Sequence, residues 1–198
     1  MKRPVNEKTS SSRQSARERL LAAAGELFYQ EGVQSVGIDK VIERAGVAKA
    51  SLYGNFKGKD DLVRAYLYAH YEARRAAIEA ELARHRAPRD RLLSIFDTLA
   101  EAIAKPNYRG CAFLRASAEM PADASGREVV RAARRWTQEL LSGLAKEAGA
   151  ARPKSLARQL LLIYDGAAAS AQLDPDPGIA AAAKAAAVLL VDSACKKA

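Results

Sequence analysis

Residues 38–60 read IDKVIERAGVAKASLYGNFKGKD. Ile38, Val41, Ile42 and Ala45 fall at helical spacing and make one apolar stripe. Gly46 stops that helix, because glycine takes a left-handed C-terminal position without steric cost. Val47 is a small apolar plug in the turn. A second short helix follows, with Leu52 and Phe56 at i and i+4 turned towards the first. Two helices joined by a tight glycine turn make a helix-turn-helix, a unit whose second helix enters the DNA major groove.

The run AGVAKASLYGNFKGKDDL, residues 45–62, resembles the signature of the TetR family of dimeric, ligand-controlled transcriptional repressors. Gly32, Ala45, Gly46, Val47, Leu52, Tyr53, Phe56, Lys59 and Leu62 all stand at the family's spacing, and the likeness runs over roughly residues 13–70. The chain departs from the usual family residues at Gly37, Gly54, Asn55 and Gly58. The resemblance implies an all-α chain with three parts. A flexible basic arm covers residues 1–12, a three-helix DNA-binding domain 13–58, and an effector-binding and dimerisation domain 59–198.

Contacts to DNA follow from position in the motif. Gly37 opens the first motif helix, whose free N–H groups suit a phosphate oxygen and whose missing side chain lets the backbone of DNA come close. Lys40 projects one turn further, towards a phosphate. Ala48, Lys49, Ala50 and Ser51 open the second helix, where recognition helices meet bases. Lys49 can donate to guanine, Ser51 can bond various acceptors, and Ala50 can touch a thymine methyl. Asn55 reaches a base or a phosphate. By resemblance, Tyr53 and Lys59 are phosphate-binding residues. Arg13 and Arg17 near the start of the first helix, and Lys2, Arg3 and Lys8 in the arm, are further candidates for phosphate contact.

Working outward, Ser15-Ala-Arg-Glu18 is a candidate capping box for a first helix that runs to about Gln30. Its apolar residues Leu20, Ala24, Leu27 and Phe28 back the motif. After the motif, a long helix from Gly58 or Lys59 to about Arg84 begins with Asp60 and Asp61, which complement the helix dipole. The resemblance makes it the lever between effector and DNA. His70 and Tyr66, Tyr68 and Tyr71 on it read as packing. Pro88 opens a helix with Leu92, Phe96, Leu99 and Ile103 as core stripe. A short helix, Cys111 to Met120, ends at Pro121. Ser125-Gly-Arg-Glu128 offers a second capping box for a helix to about Ala148, with Val129, Ala133, Trp136, Leu140 and Leu144 as apolar face. Phe96, Cys111, Phe113, Leu114, Ser117, Met120, Trp136, Leu140 and Tyr164 are the candidates for an effector cavity, which favours an apolar or aromatic molecule.

The last two helices, from Pro153 and Pro177, are apolar on more than one side. In the family such a pair forms a four-helix dimer interface, and Leu156, Leu160, Ile163, Ala167, Ala171, Ala183, Ala186, Ala187 and Leu190 are assigned to it.

Composition adds little to this division. The net charge is +9, with an excess of +4 over residues 1–60 and +5 over the rest, so charge does not single out the motif. No apolar run reaches the ~20 residues of a membrane span, and the N-terminus lacks an apolar signal core, so a cytoplasmic protein is expected. Cys111 and Cys195 suggest no disulfide framework. His70 and His85, the two histidines, stand in no metal-ligand spacing, and no phosphate-binding glycine loop occurs. No catalytic residue, metal or cofactor is expected. Two functions remain: a homodimeric regulator on a palindromic operator in double-stranded DNA, released by a small molecule, or a helical-bundle adaptor between proteins.

Overall fold

A computed structural model describes residues 14–174 and 176–195. Lys2, Arg3, Lys8 and Arg13, and with them the arm 1–12, lie outside the described residues. Among the described residues the chain forms nine helices and no strand: α1 (Ala16–Glu31), α2 (Ile38–Ala45), α3 (Lys49–Asn55), α4 (Lys59–Leu82), α5 (Pro88–Ile103), α6 (Ala112–Glu119), α7 (Gly126–Glu147), α8 (Pro153–Leu173) and α9 (Gly178–Ala194).

Local chemistry sets most boundaries. Ser15 caps α1 in a full capping box: its hydroxyl accepts from the Glu18 N–H at 3.2 Å, and the Glu18 carboxylate accepts from the Ser15 N–H at 2.8 Å. Pro88 and Pro153 stand in the first turns of α5 and α8, where a missing N–H costs nothing. The Asp176 carboxylate accepts from the Gly178 N–H at 2.7 Å and caps the start of α9. Helix α4 ends at Leu82, short of the expected Arg84, because its last groups turn into tighter bonds such as Arg84 N–H to the Glu81 carbonyl.

Ser125 corrects an expectation. It precedes α7, but its backbone is already helical and its hydroxyl caps nothing. Its N–H donates instead to the Asp60 carboxylate at 3.2 Å, which ties the start of α7 to the start of α4.

Two hydrophobic clusters fill the interior, and α4 belongs to both. The first joins Leu20, Ala24, Leu27 and Phe28 of α1 to Val41, Leu52 and Phe56 of the motif, to Leu62, Tyr66 and Leu67 of α4, and to Phe113 and Met120 around α6. The second joins Ile78 and Leu82 of α4 to α5, the C-terminal half of α7, α8 and α9.

The phase of three helices differs from the sequence reading. On α7 the buried line is Val129, Ala133, Thr137, Leu141 and Leu144. Trp136 and Leu140 are only half-buried, and Trp136 meets Tyr71 edge-on at 6.0 Å. On α8 and α9, Leu156, Leu160, Ala167, Ala171, Ala183 and Ala187 are buried within this one chain. Ile163, Ala186 and Leu190 are half-buried. The apolar surface left free lies elsewhere, with Leu162, Leu173 and Leu189 exposed at 62, 80 and 73%. Ion pairs fasten the outer helices: Lys184 to Asp97 at 2.6 Å, Arg89 to Asp192 at 2.7 Å, and Arg134 to Asp165.

Candidate nucleic-acid interface and ligand cavities

The motif is built from its turn outward. Gly46 takes φ 61° and ψ 44°, the left-handed conformation. Its N–H bonds the Glu43 carbonyl at 3.1 Å, and the Val47 N–H bonds the Ile42 carbonyl at 3.3 Å. This pair of bonds is a Schellman turn, and Val47 and Ile42 pack together against the first cluster as that turn requires. Arg19 of α1 donates to the Gly46 carbonyl at 3.1 Å, so α1 holds the turn from behind.

Leu52 and Phe56 bury one side of α3. The opposite side is open: Lys49, Ala50, Tyr53, Gly54 and Asn55 are all exposed, Tyr53 by 54%. Ala48 is the exposed N-cap and Ser51 is half-buried. Gly37 is the exposed N-cap of α2 with no side-chain capping bond, and a Cβ there would meet nothing within 4 Å. The free N–H groups of α2 are therefore open to an incoming anion.

The cations near this face have soft partners. Lys49 Nζ lies 3.0 Å from Asp39, joining the starts of α2 and α3, and that carboxylate raises the lysine's pKa. Lys40 pairs with Glu31 at 2.6 Å, on the side of α1. Both pairs are solvent-exposed, so exchange for a phosphate costs little. Lys59 Nζ donates to the Gln34 carbonyl at 2.9 Å and is thereby fixed beside the loop that leads into α2. Asn55 donates to the Ser51 carbonyl at 2.7 Å. Arg17 lies over the Phe56 ring at 5.3 Å.

Behind the motif two adjoining cavities open among α4, α5, α6, α7 and α8. One, of about 360 Å³, is lined by Tyr29, His70, Arg74, Thr98, Tyr108, Phe113 and Tyr164 among others. The other, of about 340 Å³, is lined by Leu114, Ser117, Val130, Thr137 and Leu161, and shares Arg74, Cys111 and Phe113 with the first. Of the residues assigned to an effector by sequence, Cys111, Phe113, Leu114, Ser117 and Tyr164 line these cavities. Phe96, Met120, Trp136 and Leu140 lie outside both. Phe96 is core packed edge-on against Tyr164, and Met120 sits in the first cluster with its sulfur over Gly126. Trp136 and Leu140 are turned off the cavity side by the phase of α7.

The aromatic residues of α4 divide as well. Tyr66 is core, and burial pushes its hydroxyl pKa up. Tyr68 is exposed. His70, read as packing, stands in the cavity wall 5.4 Å from the Phe113 ring. Burial holds its pKa down to about 4, with the charges of Arg74 and Lys105 acting in the same sense, so it is neutral near pH 7.

The cavity wall is fastened to α1 and to the loop that leads into α2. Tyr29, near the end of α1, accepts from the Arg109 N–H at 2.9 Å and donates to the Gly110 carbonyl at 3.1 Å. Arg115 of α6 donates to the Tyr29 carbonyl. Glu119 at the end of α6 accepts from the Gln34 N–H at 2.9 Å, next to the carbonyl that holds Lys59. Among the described residues no group of three His, Cys, Asp or Glu is placed to hold a metal, and no helix is long and apolar enough to cross a membrane.

Comparison with known proteins bears on this geometry. Residues 20–66 match the model for bacterial regulatory proteins of the tetR family. The crystal structure of SCO4454, a TetR-family transcriptional regulator from Streptomyces coelicolor, is 33% identical, with a TM-score of 0.87 over 91% of this chain and 90% of that one. The transcriptional activator FasR of Mycolicibacterium smegmatis is 40% identical over 60 residues, 30% of this chain and 27% of the relative. The transcriptional repressor NemR of Escherichia coli is 31% identical over 106 residues, 52% of this chain and 53% of the relative. These matches span about a quarter to a half of the curated relatives' length. The likeness to SCO4454 covers nearly the whole of both chains: the chain belongs to the TetR family of bacterial regulatory proteins.

Proposed function

We propose that this chain is a sequence-specific DNA-binding transcriptional regulator, a repressor that acts as a homodimer in the cytoplasm and leaves a palindromic operator when a small molecule binds. The observation that carries the reading is the α2–α3 pair: a Schellman turn fixes the two helices, Leu52 and Phe56 anchor α3, and its other face is free for a groove. The adaptor reading gives no reason for that open face or for Lys59 held at its edge.

In this reading residues 13–58 bind DNA, and residues 59–198 bind the effector and the second subunit. Lys49, Ala50 and Ser51 meet base edges, with Ala48 at the mouth of the groove. Gly37, Lys40, Tyr53 and Lys59 hold phosphates, and Asn55 reaches a base or a phosphate. Two copies related by a twofold axis set the two α3 helices one DNA turn apart, about 34–36 Å, or a multiple of it. Free apolar surface at Leu162, Leu173 and Leu189 supports pairing through α8 and α9. The effector sits behind α6. Its presence shifts the segment from Gly110 to Glu119, which grips Tyr29 and Gln34, and so shifts the population towards heads mis-spaced for the operator. The repressor NemR supports repression as the direction of control, and the activator FasR supports the opposite direction.

The test is selection of random duplex DNA on the purified protein, followed by sequencing of the bound pool. An enriched inverted repeat is the expected result. A pool without a motif, from protein shown to be folded, would falsify specific dimeric recognition and return the adaptor reading.

A further inference from the structure

The two cavities meet at Arg74, in the middle of α4. Its guanidinium carbon lies 5.2 Å from the centre of the Tyr164 ring and 5.9 Å from that of Phe113. Among the described residues its only hydrogen bond runs from Nη2 to Thr137 Oγ1 at 3.5 Å, the long end of the range. Nε is buried and has no acceptor there. No carboxylate among the described residues pairs with it, and Asp165, in the wall of the second cavity, is taken by Arg134.

A half-buried guanidinium stacked on aromatic rings, with its Nε shielded and without an acceptor, leaves a donor unsatisfied in the ligand-free chain. The Nε–Nη2 edge is a planar two-donor fork, and the group that satisfies such a fork is a carboxylate. The wall of the first cavity carries the rings of Tyr29, His70, Tyr108, Phe113 and Tyr164 among small aliphatic and polar residues. Its other charged side chains, Glu101 and Lys105, are of opposite sign, so Arg74 leaves the wall positive. A volume of about 360 Å³ is at the small end of ligand pockets and fits one or two rings.

Resting on the effector reading above, we propose that the effector is a small aromatic monoanion, an aryl or arylalkyl carboxylate. Its carboxylate sits on the fork of Arg74 and its ring lies against the aromatic wall of the first cavity. Nε is shielded in the ligand-free chain, so engagement turns the side chain out of its contact with Thr137. The 3.5 Å bond there offers little resistance.

The experiment is calorimetric titration of the full chain, without DNA, against benzoate, 3-phenylpropionate and naphthalene-2-carboxylate, each beside its neutral primary amide. At least one acid is expected to bind about tenfold or more tightly than its amide, the worth of one charge-assisted fork. Arg74→Met removes that preference, and Arg74→Lys keeps its sign while weakening it. The ligand-free Arg74→Met protein melts no lower than the parent, because the change removes a charge that lacks a partner. Acids that fail to bind, amides that bind equally well, or a preference that survives Arg74→Met overturn the proposal. So does a marked fall in melting temperature, which makes Arg74 structural. The DNA reading stands or falls separately: Arg74→Met should select the same operator pool as the parent, and absence of a pool from both proteins counts against the regulator, not against the acid site.

Discussion

At the scale of single residues, the two lysines of the motif make different predictions. Lys59 is held by the Gln34 carbonyl beside the start of α2, where the proposed reading puts one phosphate. Lys59→Ala is expected to weaken binding to every DNA alike and to lower the salt slope by about one phosphate. Binding curves on operator and random duplex across a salt series check this, and a loss confined to one sequence removes Lys59 from phosphate contact. Lys49 faces out from the first turn of α3, and its partner Asp39 is itself exposed. Lys49→Ala should change which sequences are selected, and should leave the melting temperature nearly unmoved, since exposed pairs contribute little. His70 gives a pH prediction. Its folded pKa, about 4, is below its ordinary 6.5, so between those values the unfolded chain binds more protons and the fold loses stability as pH falls. Nearly two pH units of that window, worth about 2–3 kcal/mol, lie above the ordinary 4.5 of Glu18 and Glu81, whose carboxyls are held down by hydrogen bonds from Ser15 and His85. Denaturant melts between pH 4.5 and 6.5 should therefore slope in the parent and flatten in His70→Gln; equal slopes would mean His70 titrates normally. The motif residues were legible because capping, turn and apolar spacing all act within a few positions. Arg74 was not singled out, although the signal was there: it stands four residues after His70 and four before Ile78, on the inward line of α4.

At the scale of elements, existence was readable and phase was not always so. The stripe Leu92, Phe96 and Leu99 on α5 is buried as its spacing requires. On α7, apolar residues at 136, 140, 141 and 144 allow two overlapping lines, and only packing against α4, α5 and α8 selects the one through Thr137 and Leu141. On α8 and α9 alanine covers so many positions that no single line stands out, and the buried set had to come from the neighbours. The link between cavity and motif was likewise hidden, because it joins residues about eighty positions apart: Tyr29 to Arg109 and Gly110, and Gln34 to Glu119. Gly110 takes φ 86°, a left-handed conformation that disfavours any other residue, and the Tyr29 hydroxyl donates to its carbonyl at 3.1 Å. Tyr29→Phe removes two hydrogen bonds and leaves the ring. The expected cost is about 1–3 kcal/mol. Hydrogen exchange should quicken at residues 108–112 and remain slow in α3. Unchanged exchange at 108–112 would show that the hydroxyl does not hold the wall.

For the whole molecule, the proposed homodimer makes its prediction on α8 and α9. The residues chosen from sequence for that contact mostly fill the chain's own second cluster, so a substitution among them tests folding before it tests assembly. Leu189 and Leu190 separate the two effects. They are adjacent on α9, but Leu189 is 73% exposed while Leu190 packs partly on the inner cluster. Leu189→Asp alters little inside one chain. In a twofold dimer the same change appears twice, removing the burial of two leucines and setting two like charges near the axis, about 3–6 kcal/mol in all. That is roughly two to four orders of magnitude in dissociation constant. Sedimentation should then find folded monomers, with helical content and thermal melting close to the parent measured at the same low concentration. DNA affinity should fall as well, because a monomer holds one half-site and loses the linkage to the other. Leu190→Asp, by contrast, should lower the melting temperature even where the protein is already monomeric. Intact Leu189→Asp dimers would take α9 out of the interface and move the search to the exposed line through Leu162 and Leu173 on α8.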